Sequence, residues 1–358
     1  MEQRVFNQLL TAAVKNGSSD IHLKAGAPPA LRINGSLLPV KVPALAPSDT
    51  ESIAKFILDG NGFRGELRDV KDFDTSYAID EVGRFRCNIF RQKGNFALVL
   101  RAIPINVPTV ESLGLPAVVK NLCECERGLI LLTGVTGSGK SSTLAAMVKH
   151  INETARVHIL TIEDPIEFLH EDKLARITQR EIGPDTGNFA VALRAALRQD
   201  PDVILVGEMR DTETIEIALK AAETGHLVLS TVHTTDCAKT IGRLCEAFPH
   251  DAQQAVRHRL AENLKGVISQ RLLPRATGKG RAVAAEIMVS TESIKDFIID
   301  PDKTHQISDY LAKNRDIYGT QSFDQHLADL YKGGTVTLDV ARAAASNPSD
   351  FERALSFE

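Results

Sequence analysis

The pattern of apolar and polar positions along the first hundred residues predicts a small α+β domain. Residues 3–16 place apolar side chains at helical spacing, and Gly17 then supplies a helix stop. Short alternating segments follow, and the dipeptide formed by Asn34 and Gly35 suits a tight hairpin turn between two of them. We therefore expect an amphipathic first helix and an antiparallel sheet, with strands at 19–23, 30–33, 84–90 and 96–101.

The stretch 103–116 carries three prolines, which oppose both a helix and a central strand, so we interpret it as a linker. Beyond it, short apolar strands alternate with helical patterns. This alternation is typical of an α/β domain with a mostly parallel sheet. The strands predicted there cover 129–133, 157–162, 203–206 and 227–232.

After about residue 250 the apolar pattern becomes mainly helical, and 251–270 predicts one long helix with arginines on one face. Residues 283–288 are extended in character, which predicts a strand pair around the turn at 278–280, with helices from there to the C-terminus. The predicted organisation is an N-terminal α+β domain at 1–102, a linker at 103–116, an α/β core at 117–290 and a helical region at 291–358.

Composition places the chain among ordinary globular proteins, with 43% hydrophobic and 25% charged residues. The net charge of -4 gives no global attraction to nucleic acid. The N-terminus lacks a signal-peptide pattern and no apolar run approaches the length of a membrane helix, so we expect a cytoplasmic protein. The five cysteines are scattered and odd in number, so we expect reduced thiols and no structural zinc.

One motif carries a specific chemistry, because residues 134–141 match G-x-x-x-x-G-K-[ST] between a predicted strand and a predicted helix at 142–150. Backbone N–H groups of such a loop surround phosphates, Lys140 reaches the β and γ oxygens, and the Ser141 hydroxyl can ligate Mg²⁺. The sequence therefore predicts binding of ATP or GTP with Mg²⁺. The predicted phosphate-binding residues are Gly134, Val135, Thr136, Gly137, Ser138, Gly139, Lys140, Ser141 and Ser142.

Polar residues follow the next three predicted strands, at the edge where open α/β sheets bind ligands. Glu163 can polarise the attacking water, unless its acidic segment is a solvated loop. Glu208 follows Gly207, which stands where many P-loop enzymes carry an Asp, so Glu208 is either a water-mediated Mg²⁺ ligand or structural. His226 and His233 flank the fourth strand and either contact phosphate or are satisfied structural histidines.

Arginines supply further candidates. Arg194 and Arg198 lie four residues apart on a predicted helix at 189–198, and paired guanidinium groups suit either phosphate or acidic neighbours. In the first domain, several arginines on or beside strands either form a solvated face or reach the γ-phosphate of a neighbouring subunit; these are Arg84, Arg86, Arg91 and Arg101.

Four segments together resemble the secretion-superfamily ATPases, and within them the retraction ATPases of type IV pili, the PilT type. The likeness runs nearly end to end, from residues 17–23 to 320–325. The segments are the phosphate loop, 161–168 (Thr-Ile-Glu-Asp-Pro-Ile-Glu-Phe), 197–211 and 226–236.

The resemblance implies a PAS-like first domain, a RecA-like core and a homohexameric ATPase that hydrolyses ATP at the inner-membrane base of the pilus machine. It implies that Glu163 is the catalytic glutamate, that Glu208 lies in an atypical Walker B segment, and that His226 and His233 form a histidine box. Arg194 and Arg198, with first-domain arginines, would complete the site between subunits. The implied partners are an inner-membrane platform protein and, as an open alternative, a second paralogous ATPase.

Other functions stay open at this point. Pilus-assembly ATPases usually carry a four-cysteine metal motif that this chain lacks, which favours retraction. Residues 293–298 (Ser-Ile-Lys-Asp-Phe-Ile) depart from the Ala-Ile-Arg-Asn-Leu-Ile typical of retraction ATPases, which allows an accessory, PilU-like ATPase. A DNA-translocating RecA-like motor would need a basic channel, and the net acidity opposes it. A regulator that binds nucleotide but barely hydrolyses it is the third alternative.

Overall fold

The computed structural model describes residues 1–33, 35–80, 82–103 and 106–357. It divides into two compact units. The first comprises Met1–Asn106 with Pro165–Leu169, and the second comprises Val107–Asp164 with His170–Glu358. Among the helices of the described residues, none is both long and apolar enough to cross a lipid bilayer.

The first unit is an antiparallel six-stranded sheet with two helices. The strand order is β3-β2-β1-β6-β5-β4. Its helices are α1 (Gln3–Lys15) and α2 (Pro47–Gly60), and its strands are β1 (Ser18–Lys24), β2 (Ala30–Ile33), β3 (Ser36–Pro39), β4 (Asp72–Ile79), β5 (Gly83–Gln92) and β6 (Asn95–Ala102), with a 3₁₀ turn at Leu67–Asp69. Phe6 and Leu10 of α1 lie one turn apart and are fully buried with Ile53 and Ile57 of α2, which explains the helical apolar spacing.

The predicted first helix and all four predicted strands of this unit are confirmed within one or two residues. The predicted hairpin joins β2 and β3, where Ile33 pairs with Ser36. Of its turn residues, Asn34 lies outside the described residues and Gly35 has a φ of 84°, which favours glycine. Sequence reasoning missed α2, β3 and β4.

The second unit contains a seven-stranded sheet in the order β13-β12-β7-β11-β10-β8-β9. All neighbours are parallel except β12 and β13, which pair antiparallel at one edge. The mostly parallel sheet predicted for this region is confirmed. The strands are β7 (Gly128–Thr133), β8 (His158–Glu163), β9 (Arg176–Glu181), β10 (Val203–Val206), β11 (Leu227–Val232), β12 (Leu264–Pro274) and β13 (Arg281–Val289).

Helices cover both faces of this sheet. Leu129 and Leu131 of β7 pack in one apolar cluster, while the alternating Ile130 and Leu132 pack in another on the opposite face. The helices of the unit are α3 (Val118–Cys123), α4 (Lys140–Thr154), α5 (Phe189–Ala196), α6 (Thr212–Glu223), α7 (Cys237–Glu246), α8 (Gln253–Asn263), α9 (Glu292–Ile299), α10 (Ile307–Lys313), α11 (Arg315–Tyr318), α12 (Phe323–Lys332), α13 (Leu338–Ala344) and α14 (Pro348–Phe357), with a 3₁₀ segment at Pro301–Gln306.

The long helix predicted for 251–270 is wrong. Helix α8 ends at Asn263, and the chain then enters β12, which lies between β7 and β13. Leu264, Val267 and Ile268 are buried, and such a strand, covered on both faces, shows no strict alternation that would separate it from a helix. The strand pair around 278–280 is confirmed, because β12 and β13 pair through that turn.

The structure differs from the sequence predictions at three further places. Helix α5 ends at Ala196 rather than at residue 198. Strand β9 escapes sequence prediction, since its edge position leaves most of its residues partly or fully exposed and polar. Within the segment predicted as a linker, Val110 and Leu115 are buried in the apolar cluster around α3 and α4, while residues 104 and 105 lie outside the described residues.

Candidate functional site

The predicted phosphate loop lies between the buried strand β7 and helix α4. Gly134 follows the strand with a φ of 141°, and a Cβ there would lie 2.6 Å from the Gln270 carbonyl oxygen, so only glycine fits. Gly139, with a φ of 92°, occupies the residue before the helix. Lys140 is the first residue of α4 and only 8% exposed. The glycines thus bring a buried lysine to the start of a 15-residue helix.

The loop has the properties of a phosphate cradle. The Lys140 ammonium donates to the carbonyl oxygens of Gly134 at 2.8 Å and Val135 at 3.1 Å. Residues 135–137 are exposed, and the buried Ser138 hydroxyl has no hydrogen-bond partner among the described residues. A helix N-terminus, a lysine and an unsatisfied hydroxyl together suit an anion, so the residues present fit a nucleotide's phosphate groups.

The strand order brings the other predicted polar residues to the same edge of the sheet. Strands β7, β11, β10 and β8 are successive parallel neighbours, so their carboxyl ends lie side by side. The phosphate loop follows β7, His233 follows β11, Glu208 lies two residues after β10, and Glu163 ends β8. This edge is where open parallel sheets bind ligands.

Glu208 is held by two cationic or ionisable neighbours. Its carboxylate lies 2.6 Å from the Arg210 guanidinium and 3.3 Å from His233 Nε2, and its side chain is largely buried. The Arg210 side chain is 71% exposed, so the pair contributes little stability and can exchange partners. Glu208 and His233 therefore form one polar group at the ends of neighbouring strands.

The carboxylate of Glu163 is oriented by its own strand and by the edge strand. The Thr161 hydroxyl donates to Oε1 at 2.6 Å, and the Gln179 amide donates to the same oxygen at 3.2 Å. The two hydrogen bonds fix the orientation of the carboxyl group. Such an oriented carboxylate can accept a proton from, or polarise, a water molecule.

The glycine at position 207 has a packing reason. A Cβ there would lie 3.2 Å from the Ile162 carbonyl oxygen and 3.5 Å from Glu163 Cα, while the Gly207 N–H donates to the same carbonyl at 2.8 Å. Because β10 lies close to β8, a side chain at this position would be tightly packed against the neighbouring backbone.

We expect Gly207→Ala to lower the free energy of unfolding by about 1–3 kcal/mol, because the added methyl must push apart two central strands. Gly242→Ala is the matched control. Gly242 lies inside α7, where an added Cβ would meet no heavy atom of the described residues within 4 Å apart from its chain neighbours and the backbone of its own helix, so this change should raise stability by about 0.5–1 kcal/mol. Chemical denaturation measures both, and a Gly207→Ala chain as stable as the native one contradicts the packing argument.

His226 lies at the opposite edge of the sheet from the phosphate loop of its own chain. It precedes β11, whereas His233 follows that strand, and six strand residues separate them by roughly 20 Å. His226 Nδ1 lies 2.9 Å from the Ala221 carbonyl oxygen, and the His226 carbonyl accepts from the Gly128 N–H at the start of β7. The two histidines share a strand but not an edge of the sheet.

Five of the six predicted arginines have partners within their own units. Arg194 pairs with Glu213 at 2.7 Å, and Arg198 donates to the Arg194 carbonyl at 3.2 Å. Because α5 ends before Arg198, the two do not continue one helical face. In the first unit, Arg101 pairs with Asp20, Arg84 bonds Ser76, Arg91 bonds three backbone carbonyls and stacks on Phe96, and Arg86 is exposed.

A metal ion would have few protein ligands here. No group of three or more His, Cys, Asp or Glu side chains that could hold a metal occurs among the described residues. The Ser141 hydroxyl and the Glu208 carboxylate are nevertheless the hard oxygen donors that Mg²⁺ prefers, and Mg²⁺ keeps several of its waters. The donor set therefore suits a magnesium ion that a nucleotide brings with it.

Sequence reasoning missed the contribution of β12 beneath the phosphate loop. The buried Gln270 donates to the Thr143 hydroxyl of α4 at 2.8 Å, and the hydroxyls of Ser269 and Thr133 lie 2.6 Å apart. The polar residues Ser269 and Gln270 inside an otherwise apolar segment are the signal that could have revealed this contribution. Because 251–270 is predicted as one helix, the two residues are assigned to a helix end rather than to a strand beside the phosphate loop.

A strand–loop–helix phosphate cradle on a parallel sheet, with acidic and histidine side chains at the same edge, defines a P-loop nucleotide-binding protein. Residues 1–354 match the family model described as "Type II/IV secretion system protein". The chain belongs to that family.

Curated relatives cover nearly the whole chain. The chain is 44% identical over 346 residues to "Type IV pilus retractation ATPase PilT" of Pseudomonas aeruginosa, covering 97% of this chain and 99% of the relative. It is 38% identical over 348 residues to "Type IV pilus ATPase PilU" of the same organism, covering 96% and 90%. A crystal structure of the pilus retraction motor PilT with bound ADP superposes with a TM-score of 0.85 at 44% identity, covering 97% and 98%.

Proposed function

We propose that this protein is a motor ATPase that hydrolyses ATP to power the retraction of type IV pili, as in twitching motility. The observation that carries the proposal is the phosphate loop with its buried Lys140, set in a chain that is 44% identical over almost its full length to a relative named a pilus retraction ATPase. The ADP bound in the superposing crystal structure of PilT supports an adenine nucleotide.

The side chains described above can divide the reaction between them. Lys140, which donates to two loop carbonyls, turns to the β and γ phosphates when nucleotide enters. Bound Mg²⁺, held by Ser141 and through water by Glu208, would neutralise charge on the transferred phosphoryl group. Glu163 orients and deprotonates the attacking water. His233, which lies beside Glu208, contacts the phosphate. Phosphoryl transfer needs mainly such positioning and charge stabilisation.

Assembly into a homohexamer would supply groups that one chain does not bring to this edge. Arg194, Arg198 and a first-unit arginine such as Arg86 would act across the interface, and His226 would serve a neighbouring copy or the packing of its own strand. In this proposal the first unit is PAS-like, the second is RecA-like, and the cytoplasmic ring acts on an inner-membrane platform protein. Nucleotide-driven rotation of the units would then produce force.

An accessory, PilU-like role is the second candidate, and one segment favours it. Residues 293–298 form most of α9, where Ile294 and Ile298 are buried and Lys295 pairs with Glu292 at the surface. Ile294 and Ile298 thus keep two apolar positions of the retraction motif, while Asp296 places a carboxyl group where the motif has Asn. A second, paralogous ATPase would be a partner in that case. The 38% identity to the relative named PilU is lower than that to PilT.

A deletion strain tests the proposal directly. We expect cells lacking this protein to accumulate surface pili and to lose twitching, with both restored by the native gene but not by the Lys140→Ala variant. Loss of surface pili would instead indicate an assembly ATPase, and normal pili with weakened twitching would indicate an accessory ATPase. The purified protein should also hydrolyse ATP at the same rate with and without DNA, because stimulation by DNA belongs to a translocating motor.

A further inference from the structure

A row of buried polar side chains crosses three strands next to the phosphate loop. Ser269 of β12 pairs in register with Thr133 of β7 on one side and with Glu286 of β13 on the other, so the three side chains share one face of the sheet. They are 0%, 0% and 6% exposed, respectively. Thr133 is the residue that immediately precedes Gly134, so one end of the row adjoins the phosphate loop.

The other end of the row holds the start of helix α7. The Glu286 carboxylate accepts the backbone N–H of Cys237, the first residue of α7, at 2.7 Å. The Cys237 side chain, fully buried, contacts the Ser269 hydroxyl at 3.5 Å and donates to the Val267 carbonyl. Burial raises the pKa of the Cys237 thiol well above its usual range, so the thiol stays protonated and can donate.

Helix α7 in turn fixes the loop that carries His233. Asp236 caps the helix by accepting the Lys239 N–H at 2.8 Å, and the Thr240 hydroxyl donates to the Asp236 carbonyl at 2.7 Å. The hydroxyls of Thr234 and Thr240 lie 2.7 Å apart. These bonds tie residues 234–236 to the first turn of the helix. Glu286 is therefore linked, through Cys237 and the start of α7, to the loop that carries His233.

The environment of the buried Glu286 carboxyl group contains groups that raise its pKa and groups that lower it. Burial raises the pKa of Glu286, and the nearby Asp236 raises it further, while the Cys237 N–H and the Arg271 guanidinium oppose the shift. A glutamine at this position could accept the same Cys237 N–H with its side-chain carbonyl oxygen and would not titrate. An apolar side chain could fill the same space but would leave that N–H without its acceptor. The side chain's length and acceptor oxygen are what the contact to Cys237 requires.

We propose that Glu286 is a positioning residue for ATP hydrolysis, which holds the first turn of α7 so that the His233–Asp236 loop stays in register with the phosphate loop. The role rests on the proposed ATPase function. Thr133, Ser269 and Cys237 connect the two loops through the sheet, and Glu286 anchors the helix end of that connection.

The reach of the side chain and its carboxyl group can be separated by two conservative changes. Glu286→Asp keeps a carboxyl group but withdraws the acceptor by one methylene, and we expect kcat to fall about tenfold with the affinity for a fluorescent ADP analogue unchanged within about twofold. Glu286→Gln keeps the reach, and its kcat should stay within about twofold of the native value. Glu292→Asp, on the exposed start of α9, is the control and should have no effect. A Gln variant as slow as the Asp variant, or an Asp variant as fast as the native chain, overturns the proposal.

A double-mutant cycle and hydrogen exchange complete the test. In a His233→Ala background, Glu286→Asp should lower kcat by less than about a further twofold. If the two residues acted independently, their separate reductions in kcat would multiply. Hydrogen exchange in peptides covering 233–240 should accelerate in Glu286→Asp and not in Glu286→Gln. Exchange needs no turnover, so it decides the role of Glu286 even if the native chain fails to hydrolyse ATP, a result that would reject the proposed function alone. The inference is overturned if the reductions in kcat multiply, or if hydrogen exchange at 233–240 is the same in Glu286→Asp as in the native chain.

Discussion

We expect Lys140→Ala to abolish ATP hydrolysis, with turnover reduced at least about 100-fold and the affinity for nucleotide weakened. The ammonium group lies at the start of α4, almost fully buried, and donates to two carbonyls of the phosphate loop. Alanine removes the charge that would stabilise the β and γ phosphates, and no other lysine occurs in the phosphate-loop sequence. Phosphate release and fluorescent-nucleotide titration measure the two effects.

Lys220→Ala is the matched control for this experiment. Lys220 lies on the exposed face of α6 in the same unit, so its removal changes the net charge equally without touching the phosphate loop. Thermal unfolding should show both variants folded. A Lys140→Ala protein that hydrolyses ATP normally would reject the P-loop mechanism, and with it the proposed motor function.

Glu163→Gln should trap bound ATP, with turnover reduced about 10²- to 10⁴-fold and binding preserved. Glutamine matches the shape of the native side chain and can still accept from Thr161, but it takes no proton from water. ATP retained after rapid gel filtration, and identified as triphosphate by ion-exchange chromatography, is the measurement. The native chain should release ADP over many turnovers, which also excludes a regulator that only binds nucleotide.

Glu153→Gln controls for the loss of one carboxylate. Glu153 is exposed near the end of α4, away from the carboxyl edge of the sheet, so its variant should hydrolyse ATP at the native rate. If Glu163→Gln also turned over normally, the base would have to come from another residue at the edge. Glu208, two residues after β10, would then be the next carboxylate to test.

Much of the fold is predictable because its signals are local. The strands at 129–133, 203–206 and 227–232 are short apolar runs bounded by turns, and the structure places β7, β10 and β11 there. The phosphate-loop pattern and its strand–helix context are also local. Amphipathic α1 is visible because Phe6, Leu10 and Ala13 repeat at helical spacing.

The secondary-structure predictions fail where a strand is buried on both faces and its apolar pattern loses its alternation, or where a strand is exposed and has few apolar residues. Strand β12 is covered on both faces, so its apolar run continues the pattern of α8 and resembles a helix. Strand β9 lies at the sheet edge with mostly polar residues and gives too weak a pattern. The parallel partner of β12 is β7, which lies far away in the sequence, so no window of neighbouring residues can detect that pairing.

By itself, the sequence determined the phosphate loop, the acidic and histidine residues that follow successive strands, and the resemblance to secretion ATPases. Only the tertiary structure decided which of these share an edge: it places His233 beside Glu208 and His226 at the opposite end of the same strand. It also revealed the row from Thr133 to Glu286, whose first two members, Thr133 and Ser269, lie 136 residues apart in the chain. Strand order and register are set by long-range pairing, and they alone determine which distant side chains meet.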